Sequence, residues 1–546
     1  MQDREHNAGH LSRSIGRAGV LLLLLGPLLS GCLPGMDWGD GEEDNTPAAH
    51  AQGAPALNRD YKTNFLTLRM PSLGMQNVQA HLMPDIGPAI LGAFSTVESR
   101  RPAPVGAPSR FAALTNPAAG YEPVILPPAR SLAKFYAALS ALASGRRTQP
   151  VSILHLGDDH LAYDRFSGPL REHLVSRFGS AGRGLMMPGL FPIRGMKVSR
   201  GGQWHLESSA AGAKGPFGIT GVRMTSGASQ AWIRFTVTPG AFDWAEVTFL
   251  AGPDFGTALV SIDGDTKLVP TRGRQYKETA IRVNAKAREI LVKPRGDGPI
   301  AVLSAATGID KRGILYSSLG LPGATASTPA KWSPDFLAND FEKLHPDLIL
   351  IEYGTREGFD DGLDVKQYEM RLAAIIALIR EKAPQASILV VGPPDAARLP
   401  GFAGSMGAQA CRALNRYEIA YYRRMIEAGD ERLARWHAPP KLDAVRAAQR
   451  RAAAAVGAYF WDWTRYMGGA CSIHAWATST PPLAERDHIT LTKAGDKRSA
   501  RALFAELMAG YNTYQRDLRA KAQTIAAAAK PARAHHHRER KKRKIR

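Results

Sequence analysis

The sequence predicts an α/β protein: a three-layer, mostly parallel sheet with helices on both faces, interrupted once by an all-β insertion. Three observations carry this. Short apolar runs, Val151 to His155, Leu348 to Tyr353 and Ile388 to Val391, are closed by Gly157, Gly354 and Gly392 and alternate with stretches of helical spacing. Between about Val198 and Lys311 the pattern changes to alternating apolar and polar residues broken by Gly and Pro. From Gly313 the α/β pattern returns. With 546 residues, 44% of them hydrophobic, the chain is long enough for about two to three domains.

The N-terminus bears on compartment. Arg13 and Arg17 precede the apolar run Val20 to Leu29, which Gly26 and Pro27 interrupt. The run falls short of the roughly 20 apolar residues that cross a bilayer and fits an export signal over residues 1–31. Its end, Leu29-Ser30-Gly31-Cys32, resembles a bacterial lipobox, which implies cleavage before Cys32, lipidation of that residue and a lipid-anchored place in the cell envelope, in periplasm or at the outer membrane. Residues 32–128 read as a tether or irregular wrap, acidic at Asp37, Asp40, Glu42, Glu43 and Asp44 and then rich in Pro, Ala and Gly, with a short strand expected at Phe65 to Met70.

Residues 129–197 form the first part of the α/β unit. A helix capped by Ser131 leads into the strand Val151 to His155, and Leu170, Leu174 and Phe178 mark a helix after it. Asp158 stands where a helix N-cap belongs. Residues 198–311 read as an all-β sandwich or jelly roll: Ile233, Phe235 and Val237 alternate with polar residues, and Asp263-Gly264 is a hairpin signal. Residues 312–520 resume with the strands Leu315 to Leu319, Leu348 to Tyr353, Ile388 to Val391 and Ala458 to Trp463. The helices between them are expected at Phe336 to Phe341, Tyr368 to Ala383, Ala444 to Val456 (capped by Asp443) and Ala494 to Met508. Residues 521–546 read as a disordered basic tail.

The formal charge is +21; the stretch from Lys530 to Arg546 carries +8 of it and the remainder about +13. Such a balance favours polyanions and acidic surfaces. Behind an export signal, nucleic acid is not the expected partner of the run from Arg538; anionic wall polymer, lipopolysaccharide or phospholipid headgroups are. Cys411 and Cys471 either pair, as an exported compartment permits, or remain two buried thiols.

The stretch from Val151 to Phe178, with Gly157, Asp158, His160, Asp164 and Arg171, resembles the first block of the SGNH/GDSL hydrolases, in particular peptidoglycan O-acetylesterase-type lipoproteins. The resemblance implies a flavodoxin-like parallel sheet and a carbohydrate-binding-like jelly roll in the insertion, with Trp204, Trp232 and Trp244 as candidate stacking residues. It also implies a site for acyl transfer on cell-wall or other polysaccharide. That chemistry needs a nucleophile, a base and donors for the oxyanion. Gly320-Leu321-Pro322-Gly323-Ala324 matches the second block, with Gly323 the donor. Tyr353-Gly354-Thr355-Arg356-Glu357 resembles YGTNE, and Arg486 to Gly495 resembles DHVHLTxxG.

Three positions depart from the family together. Asp159 stands for its Ser, Arg356 for its Asn and Thr490, paired with Asp487, for its His. Arg356 and Asp159 carry opposite charge and can pair, a matched double change. The resemblance thus implies an esterase framework without a Ser–His relay, a degenerate relative that binds glycan or assists an active paralogue. An alternative register pairs Glu485 with His488, beside a hydroxyl such as Ser167, and would give an active O-acetylesterase or acyltransferase. No cofactor is expected. Asp158, Asp159, His160 and Asp164 could suggest a divalent metal, but a cap and a supporting His account for them more simply, and no metal is expected. His535-His536-His537 reads as part of the polyionic tail.

Overall fold

The structure, a computed structural model, describes residues 126–189, 193–404 and 410–543, with side chains through residue 527. The export signal, Cys32, the tether up to residue 125 and the side chains of the terminal basic run lie outside the described residues.

Five parallel strands make the central sheet: β1 (Val151–Gly157), β2 (Ile314–Gly320), β3 (Leu348–Glu352), β4 (Ser387–Val391) and β5 (Tyr459–Trp461). Their order is β2-β1-β3-β4-β5. Every residue of β1, β3 and β4 is buried, because helices cover both faces and no side of the sheet meets water. Alternation sorts the side chains. Val151 and Ile153 pack with helices α1 (Ala133–Ala143), α2 (Ser167–Phe178) and α6 (Lys493–Arg543). Leu154 and Leu156 pack on the opposite face with α3 (Pro334–Leu344), α4 (Val365–Lys382) and α5 (Leu442–Ala455). In this strand order the chain leaves β1 first to one side and then to the other. The loops after β1 and β3 therefore diverge and open a crevice at the carboxyl edge, where sheets of this kind place their sites.

Between α2 and β2 the chain builds two antiparallel sheets of six and five strands, from Gly184–Met186 through Ile300–Gly308. Phe235, Phe249, Ile290 and Val302 fill the space between them. The Asp263-Gly264 hairpin forms as expected, with Ile262 opposite Asp265 and both turn residues at positive φ. Cys411 and Cys471 are disulfide-bonded, with their Cα atoms 5.7 Å apart.

Three local expectations are corrected. Ser131 does not cap α1; it ends a separate short turn (Pro128–Ser131), and its hydroxyl donates to the Leu126 carbonyl. Asp158 does not cap α2, which begins at Ser167 after an irregular loop; its carboxylate accepts from the His160 amide instead. Residues 521–543 are not disordered: α6 runs without a break to Arg543. Its first part is held against the sheet by Ala500, Leu503 and Leu507, and the Ala-rich stretch beyond Leu518 needs only propagation from that packed segment.

Candidate functional site

The site is assembled at the end of β1. Gly157 is required there: a Cβ would lie 2.9 Å from the Glu352 carbonyl, which also accepts the Asp158 amide. The loop then turns through Tyr163 and Asp164, both in the left-handed region at φ 62° and 58°. Asp164 holds that conformation. Its carboxylate accepts both guanidinium arms of Arg171 (2.9 and 2.7 Å), the Ser167 hydroxyl (2.6 Å) and the Arg194 amide (3.2 Å), and Arg183 lies 3.3 Å away. Burial alone would raise its pKa, but Arg183 and Arg171 outweigh it and hold the carboxyl below its ordinary value.

Asp159 follows, half-buried. Its Oδ2 accepts the Gly323 amide at 3.1 Å, and the Arg356 guanidinium lies 3.7 Å from the same oxygen. Gly323 stands at φ 78°, a left-handed conformation that turns its N–H toward this oxygen. Burial and the neighbouring Asp158 raise the Asp159 pKa, while the Gly323 amide, Arg356 and His160 oppose the rise. The expected Asp159–Gly323–Arg356 grouping is therefore present. In it a carboxylate of the chain itself occupies the donor that acyl transfer would offer to a developing oxyanion.

The C-terminal loop supplies the second grouping. Asp487 Oδ1 accepts the Ile489 and Thr490 amides (2.9 and 2.8 Å), and its Oδ2 accepts the Thr490 hydroxyl at 2.7 Å. The alternative register is not what the structure shows. Glu485 is exposed. The His488 ring stacks on Trp436 at 3.7 Å, with Nε2 3.0 Å from His474 Nδ1 and Nδ1 2.9 Å from the Arg486 carbonyl. Ser167 is fully buried, donates to Asp164 and accepts from Ser318 at 2.7 Å. A positive φ at His488 (55°) turns its ring toward Trp436, so the ExxH spacing does not place Glu485 and His488 side by side.

His160 joins the two groupings. Its Nδ1 lies 3.4 Å from Asp158 Oδ1 and its Nε2 3.4 Å from the Ile489 carbonyl. Burial lowers its pKa, but the hydrogen bond and charge of Asp158, with Glu352 and Asp159, prevail and push it up to about 9. The shift favours the imidazolium, whose two N–H groups can both donate. Because the folded value lies above the unfolded one, this group's stabilisation is complete below about pH 6.5 and is lost as pH rises through about 9. An NMR titration is expected to find its midpoint near 9, and Asp158→Asn to lower it; a midpoint at or below 6.5 contradicts this assignment.

Sequence reasoning missed the buried support beneath these loops. His155, read as part of an apolar strand, lies with Nε2 2.9 Å from Glu352 Oε2 and Nδ1 2.8 Å from the Tyr316 hydroxyl. Glu357 accepts the Ala326 amide at 2.7 Å and braces the Gly323 loop against the loop after β3. The only available signal was a polar residue interrupting each apolar run. Among the described residues no group of three or more His, Cys, Asp or Glu is arranged to hold a metal ion. Nor, among them, does a Ser, Thr or Cys side chain hydrogen-bond to an imidazole.

No protein-family model matches the sequence, and no curated protein does. Solved structures do. A peptidoglycan O-acetylesterase is 24% identical over 70% of this chain and 96% of its own, with a TM-score of 0.55. The chain shares the fold of that structure. Two further likenesses are partial and too distant to carry an argument. A GDSL-like lipase from Parabacteroides merdae is 16% identical over 37% of this chain and 73% of its own, with a TM-score of 0.22. The carbohydrate-binding module CBM35 from Paenibacillus barcinonensis is 12% identical over 22% and 96%, with a TM-score of 0.17. In this fold the crevice between β1 and β3 is where Asp159 and Arg356 meet.

Proposed function

We propose that this chain is a non-catalytic SGNH-fold lipoprotein of the cell envelope, which binds wall glycan or assists an active esterase. The observation that carries the reading is the position of Asp159. Its carboxylate accepts the Gly323 amide and faces Arg356, so a neutral ester carbonyl would have to displace a charge-assisted bond to reach the donor. Loss of the Ser or His of a Ser–His relay alone costs about 10⁶-fold in rate, and here both positions are filled by other chemistry. Thr490 spends its hydroxyl on Asp487, and Asp158 raises the pKa of the nearby His160 imidazole.

The disulfide supports export, since such bonds persist in oxidising compartments. The lipobox-like Cys32 supports an anchor, and the two-sheet insertion supports a jelly-roll-like glycan module. The basic end of α6 would lie against anionic envelope polymer or lipid headgroups.

The full chain is expected to release no acetate from O-acetylated peptidoglycan above a heat-treated control, yet to co-sediment with insoluble peptidoglycan. Turnover that Asp159→Ala or His488→Ala removes would reject the non-catalytic reading. Absence of co-sedimentation would reject wall-glycan binding and leave assistance to an active esterase.

A further inference from the structure

A second feature lies at the opposite edge of the sheet from Asp159. A cleft of about 1130 Å³ opens between the amino ends of β1 and β2 and the outer face of the six-stranded sheet. Pro150, Ser152 and Leu315 mark its place at the strand starts. Its volume exceeds that of a typical small-molecule site, about 300–1,000 Å³.

The β wall is set by strand alternation. Trp244, Glu246 and Thr248 point to one side of Phe242–Ala251, and Arg282 on the neighbouring strand stands opposite Glu246. The Trp244 ring lies flat against Gly308; a Cβ there would fall 2.3 Å from the ring. On the ring's accessible side the Arg282 guanidinium sits 3.9 Å from the centroid, with Glu246 at 3.8 Å. Trp244 therefore acts as a platform that fixes a guanidinium in the cleft.

The facing wall is basic as well. Arg147 is committed to Asp347 through two 2.8 Å bonds, and Asp347 also accepts the Ser152 amide, so this pair is structural. Arg146, Lys311 and Arg312 are exposed, and among the described residues none of the three forms an ion pair. Neutral donors and acceptors, Thr148, Gln149 and Thr248, stand between the charges. Three carboxylates, Glu246, Asp310 and Asp340, interrupt them. Such a surface does not match a polyanion of contiguous phosphates. It suits a chain whose negative charges are spaced by hydroxyls.

We propose that this cleft binds a segment of acidic polysaccharide, its carboxylates meeting Arg282 on one wall and Arg146, Lys311 and Arg312 on the other. The assignment does not depend on whether the Asp159 site turns over or on whether the chain binds peptidoglycan.

The test is calorimetric titration of the full chain with oligogalacturonate about ten sugars long, beside a neutral malto-oligosaccharide and inorganic polyphosphate. Binding of the acidic oligosaccharide is expected, and the neutral one is expected not to bind. Arg282→Ala/Lys311→Ala/Arg312→Ala should weaken binding about tenfold or more, as loss of charge-assisted contacts does. Trp244→Ala should weaken it about threefold by freeing Arg282. All variants keep the basic C-terminus, so its contribution cancels between them. Thermal melts check folding, and Lys311→Glu/Arg312→Glu, at two exposed positions, provides a variant that leaves the β sheet untouched. No binding of oligogalacturonate overturns the proposal, as does binding within twofold of the parent in the triple or the charge-reversed variant. Polyphosphate bound as tightly as the acidic sugar, and weakened as much by the triple variant, also overturns it.

Discussion

Asp159→Ser/Arg356→Asn/Thr490→His is expected to hydrolyse acetyl esters at least ~10²-fold faster than the parent or any of the three single variants. The framework for this gain is already in place. The Gly323 amide points at the side chain of residue 159, so Asp159→Ser would leave that donor free for a substrate oxyanion. Asp487 already accepts from the side chain of residue 490, which is the bond that would orient an imidazole introduced by Thr490→His. Arg356→Asn would remove a guanidinium that no longer faces a carboxylate at residue 159 in the Asp159→Ser background. The single variants should stay near background because each leaves the relay incomplete. Steady-state hydrolysis of p-nitrophenyl acetate measures it. A triple variant that folds with the parent's melting behaviour and shows no gain would mean the site differs from an esterase by more than three side chains.

What the sequence revealed, and what it concealed, follows from how local each feature is. The parallel strands were legible because burial on both faces makes each one an apolar run, and because Gly157 and Gly354 must close them. The Asp159–Arg356 pair was legible as complementary charges at two motif positions, although some 200 residues separate them. The loop from Asp158 to Phe166 was not. Its course depends on left-handed Tyr163 and Asp164, which no propensity suggests and which only Arg171, Arg183 and Arg194 make tolerable. The His155–Glu352 contact depends on strand register, which is set by the whole sheet. The continuation of α6 past Leu518 was not legible, because that stretch has no apolar face and its helix propagates from the packed segment at Ala500 to Leu507.

Asp164→Ala is expected to be the most destabilising single change near the site, costing about 3–5 kcal/mol by urea denaturation at pH 7. Asp164 is 1% exposed, and its carboxylate is the shared partner of buried Arg171 and Arg183. Removing it leaves two guanidinium groups buried without that partner, and frees the Ser167 hydroxyl and the Arg194 amide as well. Asp164→Asn should recover part of the loss, because it keeps the side chain's size and an acceptor but not the charge. The pH dependence separates charge from shape. The folded pKa lies below the unfolded one, so this group's contribution is complete above about pH 3.9 and disappears as pH falls through the lower folded value. Both variants should therefore show a shallower loss of stability in acid than the parent. Because the same carboxylate holds the backbone that presents Asp159, the Asp164→Ala/Asp159→Ser/Arg356→Asn/Thr490→His combination should lose the activity gained by the other three substitutions, even where it remains folded. Activity that survives in that combination would show that the loop keeps its course without Asp164.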